Sequence, residues 1–137
     1  MSLTAPWNVS ESDFPATSPM AERLRFLIRY AILAPSSHNS QPWHFRIAKD
    51  RIDVFMDQSR WLKVADKDQR ELHISVGCAL ENLLIAARHF DLAPSTDYLP
   101  HPANPMHAAT VRVSEASPST PNDLFPMIVV RHTNHGE

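Results

Sequence analysis

Between Ser18 and Ala34 apolar residues recur at helical spacing, with Leu24, Leu27, Ile28, Ala31 and Ile32 on one stripe. Ser18 is a candidate cap and Pro19 a candidate first-turn residue; Pro35 disfavours helical backbone at Ala34 and must end the helix there. Further on the pattern changes to alternation. Trp43, Phe45 and Ile47 alternate with His44, Arg46 and Ala48, and Ile52, Val54 and Met56 with Asp53, Phe55 and Asp57, which predicts two strands joined by a tight turn at Lys49-Asp50. From about Asp68 to Phe90, Leu72, Val76, Ala79, Leu83, Ala86 and Phe90 stand three or four apart. Ile74, Cys78, Leu80, Leu84, Ile85 and Ala87 widen this stripe, so a long helix buried on most of its circumference is expected. Ala93 to Pro105 reads as a proline-punctuated connector, Ala109 to Ser114 as a strand and the stretch from Ser117 as a proline-rich tail. Residues 1–18 show no period and read as a flexible N-terminal arm, leaving 19–137 as the folded unit.

Composition narrows the class. At 137 residues the chain has the length of one domain. The proportions, 43% hydrophobic and 20% charged, are those of a soluble globular chain; 12 prolines against 2 glycines imply stiff irregular backbone between the elements. A net charge of −2 supplies no basic excess for a nucleic acid or an anionic membrane, and no stretch is apolar enough to span a bilayer. The single cysteine, Cys78, cannot close an internal disulfide; without a visible leader, a cytoplasmic location is expected. The eight histidines lack the close pairings of a metal site, and Ser36 and Ser37 lack the flanking glycines of a nucleophile elbow. No metal is expected, and no catalytic acid, base or nucleophile stands out.

The candidate chemistry lies in Pro35-Ser36-Ser37-His38-Asn39-Ser40-Gln41-Pro42-Trp43. Polar side chains framed by prolines can present several donors and acceptors to a planar heteroaromatic ligand, although the same residues also make plain turns. This run, with Ala34, His44 and Phe45, resembles the loop of the nitroreductase family, in which Pro-Ser-Ser-x-Asn-x-Gln-Pro-Trp-x-Phe joins a helix to a strand. Arg70 to Arg88 is similar to that family's long central helix. The stretches Asp57 to Arg60 and Asp66 to Leu72 resemble the Acg-like subgroup, whose members look like two nitroreductase halves fused in one chain. Arg131-His132-Thr133-Asn134-His135 is similar to the Arg-x-Thr-Asn-Arg motif of that subgroup, with His135 where an arginine is usual. The family's Arg-Arg-Ser pattern is absent from the first helix.

The resemblance runs from about Arg23 to Gly136. It implies an α+β nitroreductase-like half domain, a small antiparallel sheet on helices, corresponding to the N-terminal half and truncated at its C-terminus. It further implies FMN as cofactor and NAD(P)H as electron donor, with nitro or quinone-like small molecules as acceptors. In the family the loop crosses a dimer interface to lie against the flavin, which makes Ser36, Ser37, His38, Asn39 and Gln41 candidate flavin neighbours. Pro42 and Trp43 set their geometry. Arg131, Thr133, Asn134 and His135 become candidates for the flavin phosphate, arginine through bidentate hydrogen bonding. A homodimer, or docking with a second half, is the implied assembly. The alternatives are a non-catalytic flavin-sequestering protein and an inactive fragment serving as an interaction domain.

Overall fold

A computed structural model describes residues 6–118, 122–134 and 136; His135, one of the candidate phosphate contacts, lies outside the described residues. Helix α1 spans Met20–Ala31, with Pro19 rather than Ser18 at its cap and no side-chain hydrogen bond there. Strands β1 (Trp43–Ala48) and β2 (Arg51–Met56) form the expected hairpin. Lys49 takes a positive φ of 53° in the turn. Helix α2 covers Arg70–His89.

Two further elements lie where periodicity predicted none. The connector after α2 is a strand, β3 (Leu92–Tyr98), paired with β4 (His107–Glu115). Pro94 conceals β3 in the sequence and is tolerated because β3 is an edge strand, where a missing amide need not break a central ladder. In the proline-rich tail, Phe125–Val130 form a short helix, α3, with Pro126 in its first turn, where the absent N–H has no helical partner to lose.

The four strands make one antiparallel sheet in the order β1-β2-β4-β3, an α+β architecture as expected. Ile52, Val54, Ala109 and Val111 are buried in one core with Leu24, Leu27, Val76, Leu83 and Ile85. Of the residues expected to be buried on α2, Cys78 and Phe90 are half-buried and Ile74 is 55% exposed; the others are buried. The described part of the arm makes contacts with the folded unit. From Trp7 onward it docks on the core: Phe14 stacks on Phe90 with centroids 4.2 Å apart and meets Phe26 edge-on, while Glu11 pairs with His89. Its apolar residues are too few and too irregularly spaced to register as a period, yet Val9 and Phe14 pack against the core.

The other sheet face carries a buried carboxylate. Asp53 is 2% exposed and lies in register with Arg46 on β1 and Thr110 on β4. Its Oδ1 accepts from the Thr110 hydroxyl at 2.8 Å, and its Oδ2 from Arg46 Nη2 at 3.1 Å. Arg51 Nε stands 3.5 Å from Oδ2; His107 Nε2 is 3.4 Å from Oδ1 and 3.1 Å from the Thr110 oxygen. Burial raises the Asp53 pKa, but the Thr110 hydroxyl, Arg46, Arg51 and His107 together hold it below its ordinary 3.8.

Candidate functional site

The end of α1 generates the site. Leu33 and Ala34 donate to Tyr30 and Ala31 at 3.2 and 3.1 Å in a tightened last turn, after which Pro35 prevents continuation. The Leu33 carbonyl accepts instead from Arg131 Nη2 at 3.1 Å, across 98 residues of sequence. Arg131 Nη1 donates to the Thr133 hydroxyl at 3.4 Å, and the guanidinium carbon lies 5.8 Å from the centroid of the Trp7 ring. The C-terminal segment is therefore fastened to the end of α1 by one arginine, which also acts as a helix C-terminal partner.

The loop that follows is tethered on two sides. The Ser37 amide donates to Ser75 Oγ at 3.1 Å, and its hydroxyl bonds the Glu71 carboxylate, both on α2. Gln41 accepts from Arg60 through its carbonyl at 3.2 Å and donates its amide to Ser36 Oγ at 3.0 Å. The Pro42 carbonyl accepts from the Asp57 amide at 2.9 Å. Between these anchors His38, Asn39 and Gln41 all have positive φ, of 51°, 53° and 50°. Such backbone is uncommon for histidine and glutamine and is retained only where the surroundings impose it. Asp66 supports the arrangement from beneath, its carboxylate accepting from the Glu71 and Leu72 amides at 3.0 and 2.9 Å and so capping α2.

Loop, helix end, arm and tail enclose a cleft of about 720 Å³ whose lining includes Ser36, His38, Asn39, Gln41, Arg131 and Thr133. Six of the nine sequence candidates are thus brought together. Ser37 is not among the lining residues; its side chain serves the tether to Glu71. Asn134 is also absent from the lining and accepts from the Gly136 amide at 2.8 Å. Trp7 and His132 do line the cleft and were not singled out from sequence. The one available signal for Trp7 was an isolated tryptophan in an otherwise polar arm. His38 also borders a second cleft of about 470 Å³ walled by Trp61, Leu62, Lys63, Val64 and Ala65.

The donor set of the cleft is not internally satisfied. Arg131 Nε is buried without a hydrogen-bond partner among the described residues, a condition that an added oxygen acceptor would relieve. Asn39 Oδ1 receives only a 3.3 Å bond from Gln41 Nε2. The volume falls within the range of about 300–1,000 Å³ typical of small-molecule and cofactor sites. Arginine, amides and hydroxyls suit a ligand with a polar heteroaromatic edge and an anionic group. Among the described residues no group of three or more His, Cys, Asp or Glu could hold a metal ion, and no helix is long and apolar enough to cross a membrane.

Comparison with known proteins gives a consistent picture. No family model matches the chain. It is 33% identical over 100 residues to a Mycobacterium tuberculosis protein named a putative NAD(P)H nitroreductase, an alignment covering 73% of this chain and 29% of that protein. It is 28% identical over 102 residues to the putative NAD(P)H nitroreductase acg of the same organism, covering 74% and 31%. The chain thus spans about a third or less of the curated relatives' length. Among solved structures, a putative nitroreductase in complex with FMN from Desulfovibrio desulfuricans superposes with a TM-score of 0.57 at 18% identity, over 92% of this chain and 87% of that one. A nitroreductase family protein from Clostridium difficile gives 0.56 at 16% identity, over 93% and 90%. The fold is nitroreductase-like, and the curated relatives, Acg among them, carry the nitroreductase name.

Proposed function

We propose that this chain, a relative of the nitroreductases with their fold, contributes the FMN-binding cleft of an NAD(P)H-dependent oxidoreductase. The observation that carries this reading is the convergence of Ser36, His38, Asn39, Gln41, Arg131 and Thr133 on one cleft from two segments far apart in sequence. Asn39 and Gln41 offer amide donors and acceptors to the polar edge of a flavin ring, and Ser36 lines the cleft while holding the Gln41 amide. Arg131 and Thr133 offer a guanidinium and a hydroxyl to the phosphate, with Arg131 Nε, which has no partner among the described residues, as the fitting donor. A bound flavin supplies the redox chemistry, so the protein need only bind, orient and tune it; the absence of an acid–base triad is no obstacle. Exposed Ile74, Met127 and Val130 offer apolar surface to a second subunit or a second half.

Titration with FMN, followed by quenching of flavin fluorescence, tests the cleft; absence of saturable binding up to millimolar FMN overturns the assignment for this chain. Anaerobic titration of the flavin complex with NADH or NADPH then separates turnover from storage. An oxidoreductase bleaches and recovers its colour on adding a nitroaromatic or a quinone, whereas a sequestering protein keeps its flavin oxidised.

A further inference from the structure

Trp7 stands 41% exposed at the cleft, on an arm moored just beyond it by Val9, by Phe14 against Phe90 and by Glu11 against His89. Its ring faces the Arg131 guanidinium, whose other partners are the Leu33 carbonyl and the Thr133 hydroxyl. An arginine on a short C-terminal segment has many rotamers open to it, and a carbonyl on one side leaves most of them available. A π face on the other side removes that freedom and adds an attraction that grows as water is excluded.

We propose that Trp7 is a positioning residue: its indole holds the Arg131 guanidinium against the end of α1, so that the cleft presents a fixed positive charge to the anionic group of its ligand. The N-terminal arm is then part of the binding site, acting through Arg131. This rests on the FMN reading for the identity of the anion, but the Trp7–Arg131 contact itself belongs to the ligand-free chain. The π face is the operative feature, so Trp7→Phe retains the function and Trp7→Leu, with comparable apolar bulk, does not.

Two measurements on the full chain and its Trp7→Leu and Trp7→Phe variants decide the matter. The first compares affinity for FMN with affinity for riboflavin, which has the same ring system and no phosphate. Trp7→Leu is expected to lower FMN affinity about two- to fivefold, the size of one partly exposed cation–π contact, with riboflavin affinity unchanged and Trp7→Phe near the parent. Equal loss for both flavins, no loss, or tighter FMN binding overturns the proposal. The second is the rate of tryptic cleavage after Arg131 in the ligand-free chain, read by mass spectrometry. Cleavage should be several-fold faster in Trp7→Leu than in the parent and Trp7→Phe, whose rates should agree; equal rates in all three overturn the proposal. Should the parent bind neither flavin, the FMN reading fails while the cleavage rates still judge the Trp7–Arg131 contact.

Discussion

The Asp53 cluster and the cleft at the end of α1 are built from similar groups, arginines, histidines and hydroxyls, but the cluster gathers them on a buried carboxylate, whereas the described lining of the cleft includes no carboxylate. Around Asp53 the carboxylate collects Arg46, Thr110, Arg51 and His107 across three neighbouring strands; the ladder to β1 is regular, that to β4 shifts register between Val54 and Phe55, and Arg51 Nε, 3.5 Å from Oδ2, has no hydrogen-bond partner among the described residues. Around the cleft, backbone is held at positive φ at three positions, Arg131 Nε is buried without a partner among the described residues, and the Asn39 and Gln41 side chains share a 3.3 Å bond. A polar set gathered on its own carboxylate holds a sheet together. One on a rigid frame with no carboxylate in its described lining is available to an anionic ligand, and that lack is a better guide to function than the presence of polar residues.

Asp53→Ala breaks this contrast most directly. It leaves guanidinium, imidazole and hydroxyl groups facing a void and should lower unfolding free energy by about 3 kcal/mol in urea denaturation. FMN affinity of the folded fraction should be unaffected, and a loss under about 0.5 kcal/mol would mean that the cluster is incidental. The same carboxylate sets an acid limit. Because its pKa is lowered on folding, its contribution is present above its ordinary 3.8 and is lost as pH falls below that value toward the folded one. In Asp53→Asn that part of the acid-side loss should disappear from the pH dependence of stability.

Asp66→Ala lies between the two regions. It strands two α2 amides and should cost about 2 kcal/mol, but it also loosens Glu71 and Ser75, which hold Ser37. Unlike Asp53→Ala, it should therefore weaken FMN binding as well as stability, and an unchanged affinity would detach the loop tether from the site. Asn39 belongs to the cleft alone. Alanine there would also meet the positive φ, so Asn39→Gly is the cleaner change, since glycine accepts that backbone and removes only the side chain. FMN affinity should drop by roughly tenfold with the apoprotein melting temperature nearly constant. A clear fall in melting temperature with affinity intact would make Asn39 a turn residue.

Tyr30 provides the smallest test. Its hydroxyl is buried in the aromatic cluster without a partner among the described residues, and burial, with Glu11 next, pushes its pKa up to about 12. It is an incomplete polar group away from the cleft lining, so Tyr30→Phe should be neutral or stabilising by up to about 1 kcal/mol. The raised pKa means that stability is steady below pH 10 and declines between there and about 12, and the phenylalanine variant should lack that alkaline decline. Destabilisation by Tyr30→Phe at neutral pH would show that the hydroxyl has a partner after all.

Local order was legible in the sequence wherever the pattern arises within a few residues. The stripes of α1 and α2, the alternation of β1 and β2 and the loop from Pro35 to Trp43 all have that range, and each folds where the pattern places it. The loop's resemblance also brought forward four of the residues that line the cleft, and the resemblance at Arg131 to His135 brought forward two more. What periodicity could not carry is contact between distant segments. Pro94 sits in a strand because β4 pairs with it along one edge, and Phe14 packs against the core because Phe26 and Phe90 meet its ring. Arg131 reaches the cleft because the Leu33 carbonyl is left without a helical donor, and Trp7 reaches Arg131 only once the arm has docked. Secondary structure follows from spacing along the chain, whereas the site needed the tertiary structure, because its walls are carried by segments whose mutual distance is set by packing alone.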